Sequence, residues 1–173
     1  MIRNTLLYLC AFSAIALVAG CSSVPSQSEP SNHPDPVAAV TAIRNAGTQF
    51  ESSVQVHPLV DPAVDGLLHK ARELEAQNQP AQALTDVRKA LIITPKAPDL
   101  LQYAAELLIE TGDWKQADAL AQQSRDLGPK TGSLCARNLE TLAWTRTALG
   151  DDAGVAAARQ QLAGCRVPDR NRF

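Results

Sequence analysis

The sequence is poor in aromatic side chains and has no cluster of basic ones. Its 173 residues include two Trp, two Tyr and three Phe, so a core must be built mainly from aliphatic and small residues. Abundant Ala and Leu favour closely packed helices over strands. The formal net charge is −2, which gives no electrostatic footprint for nucleic acid and no polybasic anchor for anionic lipid. We therefore expect an all-α protein without a nucleic-acid partner.

Residues that carry catalysis or bind metal are also scarce. The three histidines, His33, His57 and His69, are not spaced as metal ligands. The chain contains no nucleophile elbow, no Gly-rich phosphate loop and no paired-carboxylate arrangement. We expect neither an enzyme nor a site for a cofactor, metal ion or small-molecule substrate.

The N-terminal twenty residues have the composition of an export signal. Arg3 precedes an apolar run over residues 6–18 that is too short for a transmembrane helix. The following residues, Val18-Ala19-Gly20-Cys21, resemble the lipobox of bacterial lipoproteins. That resemblance implies that residues 1–20 are a removed signal peptide and that Cys21 carries acyl chains such as palmitate, anchoring the protein without spanning the membrane. The alternative is a cysteine that happens to follow an ordinary signal peptide.

The segment after Cys21 predicts a tether. Residues 22–36 contain five Ser and four Pro, a composition typical of disordered chain. Ser22 stands where an Asp retains Gram-negative lipoproteins in the inner membrane, so the resemblance implies the inner leaflet of the outer membrane, facing the periplasm. Residues 37–60 predict a short helix that stops at Gly47 and then an extended segment. We expect this helix to act as an N-terminal cap on the domain that follows.

One pattern is written twice, 34 residues apart. Ala71, Ala83 and Pro95 recur as Ala105, Ala117 and Pro129. A fixed period of this length indicates a supersecondary unit that stacks on its own copies. Helix-start signals such as Asp61-Pro62, apolar residues at three- and four-residue spacing, and turns such as Gly112-Asp113 predict a helix, a turn and an antiparallel helix in each unit. We expect Asn78 to cap the second helix of the first unit.

The repeat resembles the tetratricopeptide repeat, because large, small and Pro residues stand at that family's positions. In the first unit these are Leu67, Ala71, Leu74, Ala83, Val87, Ala90 and Pro95; in the second they are Leu101, Ala105, Leu108, Ala117, Ala121, Ser124 and Pro129. The resemblance implies a right-handed α-solenoid over residues 61–165, with repeats at about 64–97, 98–131 and 136–165 and a tail at 166–173. The third unit is atypical, as a terminal repeat often is. An unrelated helical bundle is the alternative.

Two cysteines remain in this domain after the signal peptide and lipid anchor are set aside. Cys135 lies near the start of the fifth predicted helix of the repeat domain and Cys165 just past the end of the sixth, two ends that are neighbours in an antiparallel pair. Export to an oxidising compartment favours a disulfide between them. The alternative is two independent buried thiols.

In this repeat family the first helix of each unit lines a concave groove. Carried across residue by residue, the resemblance implies a partner-binding set in this sequence: Arg72, Gln102, Glu106, Arg137, Glu140 and Trp144. An ordinary solvated face is the alternative for the charged residues, and packing within its own helix pair is the alternative for Trp144. The resemblance implies a non-catalytic adaptor for a protein or peptide in secretion or pilus assembly, outer-membrane protein assembly or regulation of peptidoglycan enzymes. The other reading is a structural or self-associating scaffold.

Overall fold

The computed structural model describes residues 33–51 and 61–166, and within them it contains seven α-helices and no strand. The predicted signal peptide, Cys21, most of the tether, most of the extended segment and the tail lie outside the described residues. The helices are α1 (Pro36–Gln49), α2 (Pro62–Ala76), α3 (Pro80–Ile93), α4 (Pro98–Glu110), α5 (Trp114–Leu127), α6 (Ser133–Leu149) and α7 (Asp152–Leu162), followed by a short 3-10 helix, Ala163–Cys165. The predicted all-α class is confirmed.

Most helices begin where the sequence predicts a start. A proline is the first residue of α1, α2, α3 and α4, where its missing amide hydrogen has no cost. Asp35 accepts a hydrogen bond from the backbone N–H of Val37 at 3.0 Å, and Asp61 accepts one from Ala63 at 2.8 Å. These carboxylates cap α1 and α2 by satisfying amides that have no partner within the helix.

The turn inside each pair uses a left-handed residue. Asn78 (φ 59°) and Gly112 (φ 83°) occupy equivalent positions of the first and second units. The prediction that Asn78 caps α3 is wrong. Asn tolerates the left-handed conformation better than other non-Gly residues do, so it takes the place that glycine takes in the next unit. Gln79 precedes α3 and makes no side-chain capping hydrogen bond.

The repeats stack as the small residues require. Helices pack as the pairs α2–α3, α4–α5 and α6–α7, and each pair packs on the next. Ala71, Ala83, Ala105 and Ala117 are all fully buried, because helix axes approach closely only where side chains are short. The predicted α-solenoid of three tetratricopeptide-like pairs is confirmed.

A disulfide joins Cys135 at the start of α6 to Cys165, with 5.6 Å between their Cα atoms. The backbone N–H of Gly132 also donates to the carbonyl of Cys165 at 2.7 Å. The predicted Cys135–Cys165 pairing is therefore present, and it closes the last helix pair.

Helix α1 does not cap the solenoid, and that prediction is wrong. It packs on α6 and α4 and runs antiparallel to α6, because Gly47 lies against Ser133 while His33 Nδ1 lies 3.1 Å from the carbonyl oxygen of Ala148. The predicted stop at Gly47 is also wrong, since the helix continues to Gln49. A Cβ at Gly47 would lie 2.7 Å from Cγ of Arg137. The glycine therefore permits close approach between the two helices.

Candidate interaction groove

The groove is defined here as the surface formed by α2, α4 and α6, the first helix of each pair. Helix α1 lies in it and turns one face towards its floor, burying Ala39, Val40, Ile43, Ala46 and Gly47. Residues spaced in this way form one stripe along a helix. The stripe is narrow and made of small and aliphatic side chains, so α1 can sit deep between α4 and α6.

Glu106 on α4 is the centre of a polar network on the groove floor. Its side chain is fully buried and accepts hydrogen bonds from Arg44 Nε at 3.0 Å and from Arg137 Nε at 2.9 Å and Nη2 at 2.5 Å. Gln102 Nε2 donates to Glu106 at 2.9 Å and lies 2.7 Å from Thr141 Oγ1. A buried carboxylate is tolerated only when it is paired and hydrogen-bonded. Here two guanidiniums, one from α1 and one from α6, meet that condition.

Arg44 also reaches the other acidic residues of the groove. Its Nη2 lies 2.5 Å from Glu75 Oε1 and 4.0 Å from Glu110 Oε1, and Tyr103 donates its hydroxyl to Glu75 at 2.7 Å. Burial works to lower the pKa of Arg44, but the charge of Glu106 and the hydrogen bonds with both carboxylates outweigh it and raise that pKa. Arg44 is therefore charged at every ordinary pH.

The same surroundings raise the pKa of two further groups, Glu110 and Tyr103. Burial, then repulsion from Glu75, raises the pKa of Glu110 to about 7. Burial and the hydrogen bond to Glu75 also raise the pKa of the Tyr103 hydroxyl. The groove is thus acidic on its α2–α4 side and needs a cation there, because carboxylates close together disfavour joint ionisation.

The structure divides the predicted groove residues into three sets. Gln102, Glu106 and Arg137 meet in the central network. Glu140 and Trp144 form a pair along α6, with Trp144 Nε1 donating to Glu140 at 3.0 Å. Arg72 lies apart on α2 and forms no hydrogen bond or ion pair within the described residues. Gln102 and Glu106 are fully buried, so they are inaccessible while α1 is seated, and the binding roles of the six residues stay predictions.

An open cleft remains beside α1. It has a volume of about 670 Å³ and lies between the C-terminal half of α1 and helices α2, α4 and α6. Its lining consists of Arg44, Thr48, Glu51, Asp65, Leu68, Arg72, Glu75, Asp99, Leu100, Tyr103, Ser133 and Arg137. Arg72 is exposed on its wall. The cleft therefore offers apolar, aromatic and charged groups together, as surfaces that bind polypeptide do.

Sequence reasoning missed Arg44 as a site residue and left Glu75 and Glu110 outside the predicted set. A signal for them exists. The helix around Arg44 carries an apolar stripe that must be buried against something. Glu75, Glu106 and Glu110 all fall on the first helices of repeats, where a groove is expected, and three carboxylates on one surface require a cation. Joining these two observations would place α1 in the groove.

Neither a metal-binding cluster nor a membrane-spanning helix is found in the described part of the chain. Residues 33–51 and 61–166 contain no cluster of three or more His, Cys, Asp or Glu side chains arranged to hold a metal ion. None of the helices in this part has the length and apolar character needed to cross a membrane.

Comparison with known proteins agrees with this fold. Residues 74–137 match the family model of the tetratricopeptide repeat. A solved structure, the globular C-terminal domain of P. aeruginosa LpoP, is similar to this chain with a TM-score of 0.55 and 28% sequence identity, over 61% of this chain and 99% of that one. No curated protein matches the chain. Residues 74–137 are therefore similar to tetratricopeptide repeats in sequence, and the described part of the chain has the corresponding fold. This class of fold serves generally as a scaffold for protein–protein interaction.

Proposed function

We propose that this protein is a non-catalytic adaptor of the bacterial cell envelope, held on the inner leaflet of the outer membrane by acyl chains on Cys21. Its repeat domain would face the periplasm and bind a segment of a partner protein. The observation that carries this proposal is the open cleft beside α1, in a fold whose general role is protein interaction.

The chemistry of the cleft suits a polypeptide segment. Leu68 and Tyr103 are half-buried in its wall and offer apolar contact, while Arg72 presents a guanidinium that the described residues leave unpaired. A partner carboxylate that reaches Arg72 gains a charge-assisted hydrogen bond. Grooves between helices commonly take an extended or helical segment in this way.

The location rests on two supports. The first is the lipobox-like sequence before Cys21. The second is the similarity to LpoP, whose solved part is described as a globular C-terminal domain. In the present chain, too, the repeat domain follows an N-terminal segment, so anchor, tether and globular domain would succeed one another along the chain.

Crosslinking in cells tests the adaptor. A photoreactive residue replaces Leu68 in the cleft, and in a separate variant it replaces Ile92, which lies on the outer side of the repeats and is 80% exposed. We expect the cleft position to capture one discrete protein, identified by mass spectrometry, and R72E in the same chain to remove that product. Capture at Leu68 that R72E leaves unchanged, or no capture at all, would contradict the proposal.

A scaffold is the second candidate function, because one observation favours it. Ile92, Ile93 and Leu127 are large apolar residues that remain exposed at the ends of α3 and α5, the second helices of their pairs. Ile93 and Leu127 stand one repeat period apart. Exposed apolar residues mark an interaction surface when they form one contiguous patch. A crosslink from position 92 to a second copy of the chain, without capture from position 68, would favour this scaffold.

A further inference from the structure

The floor of the groove contains a polar network, although α1 covers it; beside that network the stripe of α1 belongs to the same buried apolar cluster as Ile109 and Leu142. Where α4 and α6 face this helix they present Gln102, Glu106, Arg137 and Thr141. A floor that stays permanently covered is normally apolar, because burying ionised groups is costly even when they are paired. These ionised and polar residues therefore indicate that the floor is not always covered.

Most polar groups of this floor keep their hydrogen-bond partners when α1 is absent. Glu106 keeps both hydrogen bonds from Arg137 and the one from Gln102, and the Thr141 hydroxyl donates to the backbone carbonyl of Arg137 at 2.8 Å. Withdrawal of α1 would leave no uncompensated charge at Glu106. It would expose these polar groups to water together with the apolar residues that α1 covers, so the open groove offers an aliphatic surface beside its charged groups.

The α2–α4 side of the groove needs a cation from the helix that occupies it. Without Arg44, Glu75 and Glu110 are neighbouring carboxylates with no remaining cation partner among the described residues. Close packing against α6 needs a small residue, which α1 supplies at Gly47. The groove thus selects a helix that has an aliphatic stripe, a cation beside that stripe, and a small residue about one turn further on.

We propose that the floor beneath α1 is a partner-binding surface, and that it accepts a partner protein's helix with this pattern in exchange for α1. The proposal deepens the adaptor function and rests on it, because it names the kind of partner that the groove takes. When α1 lies in the groove, it occupies the site that the partner helix would bind. The apparent affinity for the partner is then reduced by the fraction of molecules in which α1 has left the groove.

A peptide of residues 35–51, labelled with a fluorophore, serves as the probe helix. Its binding to the chain from Ser22 onward is measured by fluorescence anisotropy. G47L should unseat α1, because the added side chain meets Arg137 and Ser133. G66L is the matched control, since a Cβ at Gly66 of α2 meets nothing within 4 Å. We expect G47L to bind the peptide at least about tenfold more tightly than the wild type and G66L do.

The same peptide carrying R44E should bind G47L at least about tenfold more weakly, because it brings a carboxylate to Glu75 and Glu110. Equal binding of the wild type and a folded G47L, or indifference to R44E in the peptide, would overturn the proposal. This outcome is distinct from failure of the adaptor function, which the cellular crosslink at Leu68 reports separately.

A second pair of variants covers the case in which circular dichroism shows G47L unfolded. I43D places a carboxylate on the buried stripe, and V37D places one on the exposed face of the same helix, where Val37 is 71% exposed. Only I43D should gain peptide binding. Sedimentation of the wild-type chain is also measured. A dimer that I43D dissociates would show that the occupant is a second copy of α1 and would overturn the assignment to a partner protein.

Discussion

Replacing Glu106 by Gln tests the central network most severely. The carboxylate accepts hydrogen bonds from Arg44, Arg137 and Gln102. E106Q keeps the shape of the side chain but leaves two guanidiniums facing a neutral amide. Only one oxygen can still accept, and the new NH₂ group competes with the arginines for acceptors.

The expected magnitude follows from burial. Loss of one partner from a buried ion pair typically costs about 3–5 kcal/mol. The side chains of Arg44 and Arg137 are 43% and 27% exposed, so water screens part of the uncompensated charge. We therefore expect E106Q to lower the free energy of unfolding by about 2–3 kcal/mol.

Urea denaturation at pH 7, followed by circular dichroism, measures this difference. The matched control is E140Q, because Glu140 lies on the same groove face but, within residues 33–51 and 61–166, accepts only from Trp144, an interaction that an amide oxygen can keep. We expect the control to change the free energy of unfolding by less than about 0.5 kcal/mol. A value for E106Q within the range of the control would refute the assignment of Glu106 as the charge centre of the groove.

Three further outcomes follow from the structure. Burial and Glu75 raise the pKa of Glu110 to about 7 from its ordinary 4.5, so between these values the folded state holds a proton that the unfolded chain has released. The free energy of unfolding therefore falls as pH rises across that window. E110Q should make the urea midpoint less dependent on pH between pH 5 and 7. Serine at both Cys135 and Cys165 should lower the free energy of unfolding by about 3–4 kcal/mol in the chain-entropy account, measured against the oxidised wild type. At Asn78, valine should lower the melting temperature because a β-branched residue is strained at φ 59°, whereas glycine at the same place should not lower it.

The repeat part of the fold was predictable because its information is local. Proline and aspartate at helix starts, and alanines one period apart, act within one helix or between neighbouring helices. The two alanines Ala71 and Ala105 stand at equivalent crossings and are both fully buried. Periodicity therefore reports packing directly, since a small residue is needed wherever two helices cross closely.

The groove was only partly predictable because its occupant comes from elsewhere in the chain. Gly47 reads as a helix stop when its own segment is considered alone. Its actual role depends on Arg137, which is ninety positions away. Gln102 and Glu106 lie on the groove side of α4, and the sequence does not show that they are buried there. No local pattern names the partner of the apolar stripe on α1, and only the stripe and the acidic residues of the groove considered together point to this docking.

The central claim is that α1 can leave the groove while the repeats stay folded. Amide hydrogen exchange of the wild-type chain tests this claim most directly. Local opening that leaves the rest of the protein folded gives exchange at a lower free energy than global unfolding does. The account predicts that the amides of residues 40–49 exchange through an opening clearly less costly than that of α4 and α6, whose amides stay protected. Exchange of α1, α4 and α6 at one common free energy would contradict it, because α1 would then be an integral part of a single core.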